Sequence, residues 1–171
     1  AWTAPAPALV DPPGTPDERT GLEAFLDGQR GYLLYKCSGL TGEQPLLRSV
    51  PPSSLSLLGL VRHLAKVERS WFRIRVAGVD VEPLFLDPDH KDVDFDDGNA
   101  EGAEADFMLY AEEVALARAA VVGRSLEDVF VNPRDGERLN LRWVYLHMIE
   151  EFACHLGHAD LVREAIDGAT G

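Results

Sequence analysis

The sequence predicts an all-α protein built as a four-helix bundle, and three observations carry that expectation. Four segments repeat apolar residues at helical spacing, glycines stand just past the ends of these segments, and strand-like alternation is confined to one short stretch. At 171 residues the chain is long enough for one domain with a real core. We divide it into an extended arm over residues 1–16 and a bundle domain over residues 17–171.

Composition narrows the partners. The chain carries 29 acidic and 16 basic residues, a formal charge of −13, and such a field repels phosphate backbones; nucleic acid is not an expected partner. The apolar share is 46%, and no run approaches the roughly 18 apolar residues of a membrane span. The opening "AWTAPAPALVDPP" lacks the basic-then-apolar pattern of a signal peptide, and Cys37 and Cys154 lack metal-type spacing. A reducing cytoplasm is the expected location.

The arm holds five prolines in its first sixteen residues and no periodicity, so it reads as extended chain able to wrap the domain or a partner. From Asp17, the residues Leu22, Phe25, Leu26, Leu33, Lys36 and Leu40 trace a helical stripe ending near Gly42. The second helix starts at the prolines and serines of "VPPSS", continues through Leu57, Leu60, Leu64, Val67, Trp71 and Ile74, and stops at Gly78. Residues 79–99 are acidic and broken by proline, which predicts a long surface connection. Within it "DVDFDDG" departs from a calcium loop, because Asp97 stands at the glycine position and no glutamate closes the run; it reads as a solvated acidic loop.

A third helix is expected from about Ala100 to Val122, with Phe107, Ala111, Val114, Arg118 and Val121 on its stripe and Gly123 after it. Short apolar runs flank "NPRDGE", predicting a tight turn or small hairpin. The fourth helix runs from about Leu141 to Ile166 and is closed by Gly168.

That last helix holds the chemistry. With about 100° per residue and His147 set at zero, Val144, Met148, Phe152, Ala159, Val162 and Ile166 centre the core near 100°. His155 falls at about 80°, Glu151 at about 40° and His158 at about 20°. A carboxylate one turn from an inward histidine is costly to desolvate, and a cation shared by both offsets that cost. Helix two supplies His63 at the edge of its own stripe, so a metal site between facing helices can form. A hydrogen-bonded core histidine would give the same spacing.

Glu68 lies on the inward half of helix two. It is either the partner of an arginine such as Arg118, or a group that supports His63 or transfers a proton. His158 is the other catalytic candidate; Cys154 points about 100° away from His155 and reads as a half-buried thiol. The chain has no H-E-x-x-H, no G-x-S-x-G elbow and no phosphate-binding glycine loop.

Together "ERTGLEAFLDGQR", "VPPSSLSLLGLVRHLAKVERSWF" and "LRWVYLHMIEEFACHLGHADLVREAIDG" resemble the DinB-like four-helix metalloproteins, and most of all the actinobacterial branch of mycothiol-dependent S-transferases and maleylpyruvate isomerase. The resemblance spans nearly everything after Asp17. It implies a divalent metal, zinc first with nickel or iron as alternatives, held by His63, Glu151 and His155. Many DinB-like proteins carry histidine where Glu151 stands, so the His-Glu-His set resembles the mycothiol-using branch. The implied activity is transfer of a small thiol such as mycothiol to a small electrophile, or isomerisation through the same adduct; the implied partners are these two small molecules and, optionally, a second copy of the chain. A non-catalytic, stress-associated metal-binding dimer and a metal-dependent hydrolase are the alternative readings.

Overall fold

The computed structural model describes residues 2–171, and among them the expected bundle is present. Its principal helices are α1 (Glu18–Cys37), α2 (Leu57–Glu68), α4 (Ala103–Ala120) and α5 (Leu141–Asp167). Side-chain oxygens start three of them: Asp17 accepts from Thr20 N at 3.0 Å, Ser56 from Gly59 N at 3.1 Å, and Asn140 from Trp143 N at 2.9 Å. Each satisfies one of the amide donors that a helix start leaves without a partner. Gly168, at φ 76°, ends α5 in the left-handed conformation that only glycine adopts without strain.

α1 packs chiefly along α5, and α2 chiefly along α4. The seam between α2 and α5 is more sparsely packed, and it is there that the histidines gather. Leu26, Leu33, Leu57, Leu60, Leu64, Phe72, Tyr110, Val144, Met148 and Phe152 form the centre of the core. Two carboxylates are also fully buried. Glu68 receives Arg30 through two bonds of 2.7 Å, and Glu113 receives Arg69 and Arg73. Each charge is thereby paired, as burial requires.

Several expectations need correction. The first helix ends at Cys37 rather than near Gly42, because Gly39 turns the chain at φ 78°. On α4 the buried stripe is Ala103, Phe107, Tyr110, Val114, Ala117 and Val121, whereas Ala111 and Arg118 face solvent. The arginines of the second helix draw Glu113 inward, and that rotates the buried face. The second helix also does not continue as a plain α-helix: Arg69–Val76 is π-helical, closed by a bond from Ala77 N to Phe72 O. The expected hairpin is present, with β1 (Val129–Val131) antiparallel to β2 (Arg138–Asn140) and Phe130 opposite Leu139.

The arm packs along the bundle. Ala4 is buried and exchanges backbone bonds with Gly39 and Leu40, and Trp2 lies against Phe107 with ring centres 4.9 Å apart. No helix among the described residues is long and apolar enough to cross a membrane.

Candidate metal centre

His63, Glu151 and His155 meet in the seam between α2 and α5, their donor atoms all within 4.8 Å of one another. His63 Nε2 lies 3.0 Å from Glu151 Oε1, and His155 Nε2 lies 3.3 Å from the same oxygen. The four-residue step from Glu151 to His155 stacks both on one face of α5, and α2 brings His63 across. All three are half-buried, so the group is protected without being sealed.

A fourth residue completes the arrangement. The acidic connection expected to be solvated folds back onto α2 through a short helix, α3 (Val93–Asp96), and Asp94 is 2% exposed. Its Oδ2 accepts from His63 Nδ1 at 2.8 Å and from Lys66 Nζ at 3.3 Å. Phe95 stacks on the imidazole of His63 with centres 4.5 Å apart. Arg62 fastens this connection, donating to the carbonyls of Asp94 and Val93 and to both carboxylate oxygens of Asp106. Gly59 makes the approach feasible: a Cβ there would stand 2.8 Å from Phe95 O. That glycine in the first turn of α2, four residues before His63, is the sequence signal for a close approach.

The electrostatics follow from these contacts. Hydrogen bonds from His155 and His63 hold the Glu151 carboxyl well below the usual carboxylate range despite partial burial. Burial opposes charge on His63, but Asp94 and Glu151 outweigh it and raise the imidazole above its ordinary value. Burial likewise opposes ionisation of Asp94, and His63 with Lys66 prevails to lower it. The three shifts share one cause, an imidazole hydrogen-bonded between two carboxylates.

This donor set fits a divalent cation. Two ligands bonded at about 2.0 to 2.1 Å to one zinc stand at most about 4.2 Å apart, a limit that both contacts to Glu151 Oε1 meet. Nitrogen, oxygen, nitrogen is a normal zinc set, and three protein ligands leave room for a substrate. Asp94 on the remote nitrogen of His63 would fix which nitrogen faces an ion bound there. Among the described residues no second such group occurs.

The other expected residues fall elsewhere. Glu68 is fully buried against Arg30, its partner in place of Arg118, and has no contact with the three donors. Arg118 instead pairs with Asp27. His158 is exposed, with Nδ1 3.4 Å from that of His155. Cys154 is exposed rather than half-buried, and Cys37 is buried; both are free thiols. Asp160 pairs with Lys36. His90, in the acidic connection, is bonded to Asp96 at 3.0 Å.

No curated protein matches the chain. A family model described as mycothiol-S-transferase, however, matches residues 21–168, which takes in α1 from its fourth residue, the other three principal helices and every residue of the centre. With a bundle of the expected architecture and a His-Glu-His cluster at its seam, this chain belongs to the mycothiol-S-transferase family.

Proposed function

We propose that the protein transfers a low-molecular-weight thiol, mycothiol, to a small electrophile with the aid of a divalent cation, zinc in the first instance, held by His63, Glu151 and His155. The observation that carries this reading is the convergence of three donors from two helices within 4.8 Å, in a chain of this family. When bound, the cation would supply positive charge that favours the thiolate over the thiol at neutral pH.

The chain's own residues do the rest. Asp94 keeps the proton on Nδ1 of His63 and so presents Nε2 to the site. Glu151 brings one negative charge to the centre, which leaves a thiolate less firmly held, and more nucleophilic, than three neutral imidazoles would. In this reading His158, exposed beside His155, takes the thiol proton out to solvent. The sulfur then attacks the electrophilic carbon, the S–C bond forms, and the bond from that carbon to its leaving group breaks. Glu68 has no part in this chemistry. Dependence on a reduced thiol makes a reducing compartment, the cytoplasm, the fitting location.

Elemental analysis of protein purified without chelator, followed by mycothiol consumption with monochlorobimane, tests the reading. The expected result is metal bound in proportion to protein, and conjugation well above the uncatalysed rate that is lost in His155→Ala. Metal without conjugation would instead make the protein a binding bundle. Turnover of an ester or amide without thiol would make it a hydrolase.

A further inference from the structure

The donors occupy one end of a longer paired ladder. On α5, Trp143, His147, Glu151 and His155 recur every four residues; on the second helix and its π-helical continuation, His63, Val67, Trp71 and Arg75 do the same. The helices run antiparallel, so His63 stands opposite Glu151 while Trp71 stands opposite His147 and Trp143.

The far end of the ladder is a cluster of three rings. Trp143 and His147 stack at 4.9 Å with planes 13° apart, and Trp71 meets them at 5.4 and 4.7 Å. Arg75 lies over Trp71, 4.5 Å from the ring centre, and its Nε donates to Asn132 Oδ1 of the hairpin at 3.2 Å. Packing alone would bury these indoles, yet Trp143 is 40% exposed with His147 on only one of its faces. At 1.5 Å per residue, His147 lies about 6 Å and Trp143 about 12 Å along α5 from Glu151. π-Helical turns are frequent at functional sites, and this one carries both Trp71 and Arg75.

We propose that Trp71, Trp143 and His147, edged by Arg75, which buried Asn132 holds in place, seat the hydroxylated ring portion of the thiol substrate. The exposed indole of Trp143 accepts the C–H face of a saturated ring, while the guanidinium and imidazole at the rim meet hydroxyl groups. Mycothiol has this chemistry: a cysteinyl thiol joined by a short amide link to a glucosamine–inositol pair without net charge, which the acidic surface does not repel. One to two helical turns separate the donors from the rings, and that link spans the gap between sulfur and sugar. The proposal rests on the mycothiol reading above and adds the surface that selects mycothiol over simpler thiols.

Calorimetric titration of the zinc-loaded protein with three probes tests it: mycothiol, N-acetylcysteine, and thiol-free glucosaminyl-inositol. The expected result is saturable binding of glucosaminyl-inositol that competes with mycothiol. In Trp143→Ala the preference for mycothiol over N-acetylcysteine shrinks about tenfold, zinc content is retained, and Trp143→Phe restores most of the preference. Wild-type protein that consumes mycothiol but neither binds glucosaminyl-inositol nor loses its preference in Trp143→Ala overturns the seat and leaves the transferase standing. Wild-type protein that neither binds nor consumes mycothiol overturns the transferase reading and the seat with it.

Discussion

Nδ1 of His63 and Oδ2 of Asp94 are 2.8 Å apart, although 31 residues and an acidic connection separate them in the chain. This contact converts a histidine that could present either nitrogen into one that presents Nε2 to Glu151 and His155.

Asp94 is accordingly expected to govern metal affinity. Asp94→Asn is expected to weaken zinc binding by roughly 10- to 100-fold while leaving helicity intact, since partners of metal-bound imidazoles carry that order of effect. Competition with a chromophoric chelator and circular dichroism measure the two quantities. Unchanged affinity in a folded variant would remove Asp94 from the account.

Glu68 supports the fold and not the chemistry. Glu68→Ala leaves the Arg30 guanidinium buried without its main partner and is expected to cost about 3 to 5 kcal/mol in urea denaturation. At temperatures where the variant is folded, its zinc affinity and thiol transfer per folded molecule should match the wild type. A stable but inactive variant would restore Glu68 as a catalytic candidate.

Replacing Glu151 by histidine separates binding from reactivity. Both side chains can ligate, so Glu151→His should retain zinc while its transfer rate changes. Unchanged kinetics at full metal occupancy would count against the charge argument.

The metal-free fold should have a distinctive pH profile. The contribution of His63 is fully present below about 6.5 and is lost as pH rises through its raised value, because the raised group is stabilised by its proton. The contributions of Glu151 and Asp94 run the other way, present above their ordinary values near 4 and lost as pH falls through their lowered ones. Thermal unfolding with chelator should therefore peak between about pH 4.5 and 6.5, and saturating zinc should remove the decline above that range. Parallel curves with and without zinc would contradict the shared site.

The two cysteines differ sharply. Burial pushes the Cys37 thiol up to about 12, while Cys154 is exposed. A thiol reagent should modify Cys154 in the native protein and reach Cys37 only in denaturant; rapid reaction of both at once would mean that the core around Leu33 and Leu40 opens readily.

How far the sequence carries differs between local and distant relations. Glu151 and His155 were legible because one helix fixes their relative angle, and His63 was legible because its own stripe sets its face. The rest of the site depends on the return of the connection onto α2. Asp94 sits among acids that composition alone reads as solvated, and only Gly59 and the reach of Arg62 reveal where it docks. The buried face of α4 shifted for a similar reason: Glu113 looks like a surface residue until Arg69 and Arg73 arrive from another helix. The π-helical segment carries no break in its apolar pattern, so its widened turn was invisible to periodicity.

The central claim is that one cation bridges the two helices. A crystal of the zinc-loaded protein, measured on both sides of the zinc absorption edge, tests it directly. The account predicts a single anomalous peak within bonding distance of His63 Nε2, Glu151 and His155 Nε2; a peak away from these atoms, or none at full zinc saturation, would contradict it.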